Sequence, residues 1–152
     1  MPSFDFIYNL SDEVANHETV KRMSISTGDL VVIANDLYSY NVEQAGGQRR
    51  VAHNIVDVVL REHQGAQNAM DVVGASYREL FPSLVDDYYN LPMFENDKDN
   101  EVLREYALGL LDWVEANVEF SLNSQRYFGA KAGSKEMKVN GLVELLPVKS
   151  EA

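Results

Sequence analysis

From about Thr19 to Gln44 the chain reads as one long helix, as extended as any of its regular patterns. It stops at Gly46-Gly47, an expected C-terminal signal. Gly28 weakens its middle by about 1 kcal/mol and suits the close approach of a ligand or another helix. Helical patterns fill most of the rest. One runs from about Arg50 to His63 with Val51, Ile55, Val58 and Val59 as its apolar stripe, ending at Gly65. The next, about Ala66 to Asn90, buries Ala69, Val72, Val73, Leu80 and Leu84, and Pro82 predicts a bend or break within it. The last, about Asp99 to Ser124, turns Leu103, Tyr106, Leu110, Trp113 and Val114 inward. Pro2 to Leu10 reads as the remnant of a helix, followed by a connector through Ser11-Asp12-Glu13 and His17-Glu18. No segment alternates as a strand does, so the fold class is all-α.

Within the long helix, Asn35, Ser39 and Glu43 recur at every fourth residue. Each step is roughly 6 Å of rise and about 40° of rotation, so their oxygens form a slanting row on one face. An amide oxygen, a hydroxyl and a carboxylate so placed suit a hard divalent cation such as magnesium. Val31, Val32 and Val42 flank the row, which puts it on a face expected to be buried. There an unpartnered polar group costs on the order of 1–3 kcal/mol. The same spacing also occurs on solvated helix faces, and spacing alone does not choose between the two.

Composition narrows the function classes. The chain has no cysteine, hence no disulfide, no thiolate zinc site and no cysteine nucleophile, as expected of a cytoplasmic protein. No apolar run approaches the roughly 18 residues of a membrane span, and the N-terminus lacks a signal pattern. A formal charge of −11 argues against nucleic acid. It would repel a diphosphate too, unless metal ions and a few placed cations intervene.

The order of residues in Asn35 to Glu43, NDLYSYNVE, resembles the second metal-binding motif of class I terpene synthases at every specified position. Gln44, Gly46-Gly47 and His53-Asn54-Ile55-Val56 are similar to the fungal, especially basidiomycete, sesquiterpene synthases. Far downstream, Trp113, Asn117, Ser121, Ser124 and Arg126-Tyr127 resemble the end of that family's last long helix. The resemblance runs from about Pro2 to Phe128. It implies the C-terminal part of the class I helical bundle, with Asn35, Ser39 and Glu43 on magnesium and Arg126 and Tyr127 on the diphosphate of farnesyl diphosphate. Arg suits phosphate by its planar fork, and the Tyr hydroxyl adds a neutral donor. Asp36 belongs to the motif but points about 100° away from the row and is not expected to be a ligand.

The family's aspartate-rich motif and an upstream diphosphate-sensing Arg have no counterpart in the chain. Asp86-Asp87-Tyr88-Tyr89-Asn90 lies downstream of the row, and Glu95 to Glu101 lacks the features of a calcium loop. Both read as solvated helix ends, with Asp97 or Asp99 as a cap. The expectation is therefore a helical part over 1–128, a flexible tail over 129–152 that folds over a cavity mouth, and a sesquiterpene synthase inactive by itself. The alternative is a non-catalytic helical fragment that self-associates or binds a partner through exposed helix faces.

Smaller features have blander readings. Tyr38, Tyr40 and Phe120 read as packing residues, Trp113 as core, and Arg49-Arg50 as a solvated loop. His17, His53 and His63 lack metal-ligand spacing. The inner face of the last helix turns polar at Asn117 and Ser121, as a helix end lining a wet or charged cavity would.

Overall fold

The computed structural model describes residues 8–47, 51–128 and 141–148. The readings made for Pro2 to Ile7, Arg49-Arg50 and Gly129 to Asn140 lie outside them. Every regular element among the described residues is a helix: α1 Asp12–Asn16, α2 Glu18–Ala45, α3 Ile55–Leu60, α4 Ala66–Tyr89, α5 Asp97–Asn123 and α6 Gln125–Phe128. None is long and apolar enough to cross a membrane.

The chain divides into two compact units, Met1–Val31 with Arg78–Glu115, and Val32–Tyr77 with Ala116–Ala152. In the first, Val14, Met23, Leu30, Leu84, Leu103 and Tyr106 are fully buried. Tyr106 also takes part in a 2.7 Å hydrogen bond with Ser24 and meets Tyr8 edge to face. Gly109 leaves the space that Tyr8 occupies, since a Cβ there would stand 2.6 Å from the Tyr8 hydroxyl. Asp87 is not a free acidic end: Arg22 grips both of its oxygens, at 2.6 and 2.8 Å. In the second unit Tyr40, Val51, Val56, Ala69 and Val73 form the core, with Leu37, Ile55 and Met70 packed against it.

Several elements differ from the sequence reading for local reasons. The connector before α2 contains α1, which Ser11 caps by accepting from the Val14 amide. The helix expected from Arg50 to His63 is interrupted at residues 52–54 and resumes as α3 at Ile55, because Asn54 is extended and its side chain accepts from the Val56 amide at 2.9 Å. That cap starts a new helix rather than continuing an old one. α4 runs through Pro82 without a break. Pro82 lies on the exposed side, where solvent can take up the carbonyl it leaves without a donor. The first amides of α5 are met by Asn96, whose side chain accepts from Lys98, rather than by Asp97 or Asp99. α2 ends where Gly47 adopts φ +92°, a conformation only glycine takes cheaply.

Candidate functional site

All five residues singled out for ligand binding fall in the second unit. Ser39 is buried at 3% exposure, while Asn35 and Glu43 are half-buried on the same stripe of α2. Their surroundings explain how polar atoms are tolerated there. Asn54, itself 2% exposed, donates to the Asp36 carbonyl at 2.9 Å, to Ser39 Oγ at 3.3 Å and to Glu43 Oε2 at 3.1 Å. Two oxygens of the row therefore converge on a single donor atom. At the upper end, Asn35 Nδ2 donates to the Tyr127 hydroxyl at 2.9 Å.

Asp36 has a different task, consistent with its angle on the helix. Its carboxylate accepts the Ile55 backbone N–H at 2.8 Å and so holds the first turn of α3. Burial pushes this carboxyl above the usual carboxylate range, the Ile55 N–H draws it back, and the Glu43 charge adds to the rise. Residues 36, 39, 43 and 54 thus form one connected network that ties the row to the next helix.

Tyr127 is buried at 5% exposure on α6, and Arg126 beside it is exposed. The Arg126 guanidinium lies 5.4 Å from the centre of the Tyr127 ring, a cation–π distance. Among the described residues the ion pairs are Arg22–Asp87 and Arg61–Asp57, so Arg126 is not consumed by a carboxylate. The polar continuation of α5 also has a structural counterpart. Asn117 Oδ1, Ser121 Oγ and Ser124 Oγ are buried without a hydrogen-bond partner. Such atoms ask for water or a ligand.

The oxygen types present are those a hard divalent cation takes: the Ser39 hydroxyl and the Glu43 carboxylate share one partner, Asn54 Nδ2, and the Asn35 amide lies one turn away on the same face. Charge limits the site. Among the described residues no group of three or more His, Cys, Asp or Glu gathers around one point. The row brings a single carboxylate, the situation in which magnesium completes its shell with water and phosphate oxygens.

Asn54 is the residue whose role sequence reasoning missed. Its signal was present, an Asn directly before an apolar helical stretch, but it identifies a cap and not a partner of the row. Phe120 is 60% exposed rather than packed, and Tyr38 lines a cavity.

The sequence matches the family description "Terpene synthase family 2, C-terminal metal binding" over residues 3–81. It is 35% identical to a delta(6)-protoilludene synthase of Stereum hirsutum over 99% of this chain and 41% of that protein. A sesquiterpene synthase of Cyclocybe aegerita is 35% identical over 91% of this chain and 39% of its own length. An alpha-muurolene synthase of Coprinopsis cinerea is 34% identical over 92% of this chain and 32% of its own length. The chain thus spans well under half of each of these relatives.

Proposed function

This chain belongs to the terpene synthase family, and on that premise we propose that it forms the diphosphate-holding edge of a sesquiterpene synthase. The substrate is farnesyl diphosphate and the metal is magnesium. Asn35, Ser39 and Glu43 hold the cation through the amide oxygen, the hydroxyl and the carboxylate. Arg126 meets the diphosphate with its fork of N–H donors, and the Tyr127 hydroxyl adds one more contact. Bound magnesium neutralises charge on the departing diphosphate.

The observation that carries this reading is the 2.9 Å hydrogen bond between Asn35 and Tyr127, 92 residues apart. It links the row and the Arg-Tyr pair in one unit, where a single diphosphate can reach both. The unpartnered oxygens of Asn117, Ser121 and Ser124 support a polar ligand or ordered water at the end of α5. With one carboxylate in the row, the chain by itself holds diphosphate but forms little hydrocarbon from farnesyl diphosphate.

Calorimetric titration of inorganic diphosphate tests the reading. Binding should require magnesium and weaken at least about tenfold in both Glu43→Ala and Arg126→Ala, about 1.4 kcal/mol each. Magnesium-independent binding, or binding indifferent to both changes, would refute it. Ready hydrocarbon formation by the chain alone would overturn the statement on activity.

A second reading, a non-catalytic helical piece acting through a partner or a second copy, draws on exposed apolar side chains. Ile25 is 64% and Phe120 60% exposed on their helices. Sedimentation separates the two, since a monomer at tens of micromolar with magnesium-dependent diphosphate binding leaves this second reading without support.

A further inference from the structure

A cavity of about 530 Å³ lies within the second unit, and it is not on the metal-facing side of α2. Its wall on that helix consists of Ala34, Leu37, Tyr38 and Asn41. At about 100° per residue, these four centre roughly 150° around the helix from Asn35, Ser39 and Glu43. Met70 and Tyr77 of α4 and Phe128 of α6 line it further. Among the described residues that line it, none is charged.

Val118 of α5 also lines it, and the remaining wall is the segment 141–148, through Leu142, Val143 and Leu145. That segment is fastened to α2 by side-chain amides. Asn41 Nδ2 donates to the Glu144 carbonyl at 2.9 Å, and Asn41 Oδ1 accepts from the Leu146 amide at 2.8 Å. Gln44 donates to the Leu146 carbonyl at 2.7 Å. Asn41 thus pairs with the segment as a neighbouring strand would. Leu142 nevertheless remains 70% exposed, so this part of the wall also faces solvent.

We propose that this cavity is a second ligand site, which takes a neutral, mostly hydrocarbon small molecule between α2, α4 and the 141–148 segment. The volume falls in the range of small-molecule pockets. An apolar wall without countercharge rejects an ion, because a buried charge needs a partner. Beside Asn41, the polar residues at the wall are Tyr38, Tyr77 and Gln67, whose amide nitrogen donates to Asp71 at 2.9 Å, so the ligand carries at most one hydroxyl or carbonyl. Burial raises the pKa of both the Tyr38 and the Tyr77 hydroxyl, so both stay neutral.

The test uses the full chain, Nile red as a neutral fluorescent reporter, and two competitors of equal length, decanol and decanoate, at pH 8 without magnesium. Decanol should displace the dye at least tenfold more effectively than decanoate. Ala66→Trp, which fills the cavity from α4, and Leu142→Asp, which puts charge on the wall formed by 141–148, should each weaken decanol at least tenfold. Leu142 lies on an exposed segment, so its variant reports on the cavity even where Ala66→Trp disturbs packing. Glu43→Ala, on the far side of α2, should leave decanol binding within twofold of wild type. Absence of saturable displacement, parity of decanoate with decanol, indifference to Leu142→Asp, or loss in Glu43→Ala would each overturn the proposal.

Discussion

Glu43 Oε2 accepts a hydrogen bond from Asn54 Nδ2 at 3.1 Å, which ties the charged end of the oxygen row to the cap of the next helix. Asn54→Ala removes that bond, two further donations and the acceptor for the Val56 amide at once. Loss of a cap costs about 1 kcal/mol, and stranded buried acceptors add about 1–3 kcal/mol. A drop of about 2–4 kcal/mol in urea-derived stability is expected; a change under about 0.5 kcal/mol would mean the network is not formed.

Asn54→Asp separates the two roles. The cap survives, because a carboxylate still accepts from Val56, but the donor toward Glu43 becomes a like charge. Magnesium should therefore raise the melting temperature of this variant more than that of wild type. Equal magnesium shifts in the two would place the cation elsewhere.

Asn41→Leu keeps the bulk of the side chain and deletes both bonds to the 141–148 segment. Each is worth about 0.5–1.5 kcal/mol, so hydrogen exchange of the Leu146 amide should accelerate by roughly tenfold or more. Unchanged exchange at Leu146 would show that the segment is held by its apolar contacts.

Burial, and then the neighbouring Tyr38, push the Tyr77 hydroxyl above the ordinary tyrosine value. The folded chain then keeps a proton that the unfolded chain gives up near pH 10. The resulting stability is intact below about pH 10 and is lost as pH rises through the folded value. The urea midpoint should fall less steeply between about pH 9.5 and 11 in Tyr77→Phe than in wild type. Parallel curves would contradict the shift.

The bidentate Arg22–Asp87 pair is half exposed on the arginine side, with 49% of that side chain accessible. Asp87→Asn should accordingly cost little stability, and the difference from wild type should shrink at high salt. A larger, salt-independent loss would give the pair a structural weight that its exposure does not suggest.

The long helices were legible because their signals are carried by the helices themselves. α2 and α5 begin and end within two residues of the positions read from periodicity and from Gly46-Gly47. α1 and the late start of α3 were not legible, because Ser11 and Asn54 act through hydrogen bonds to nearby amides that periodicity does not register. The spacing that places Asn35, Ser39 and Glu43 on one stripe of α2 was visible in the sequence. The partner of that row was not, since Asn54 reaches it from the far side of a turn. The 530 Å³ cavity was hidden for a related reason: its walls come from separate segments, each of which reads as ordinary packing.

With the row of oxygens along one side of α2 and an uncharged cavity wall on the other, the span from Ala34 to Glu43 is constrained in length as well as in composition. Adding or deleting one residue there would turn everything beyond it by about 100°. Glu43 would leave the row, and Asn41 would lose its hold on Glu144 and Leu146. Substitutions on one side leave the other untouched, but a change in register damages both together. Natural length variation in this chain should therefore collect in the turns on either side of the helix and spare the helix itself.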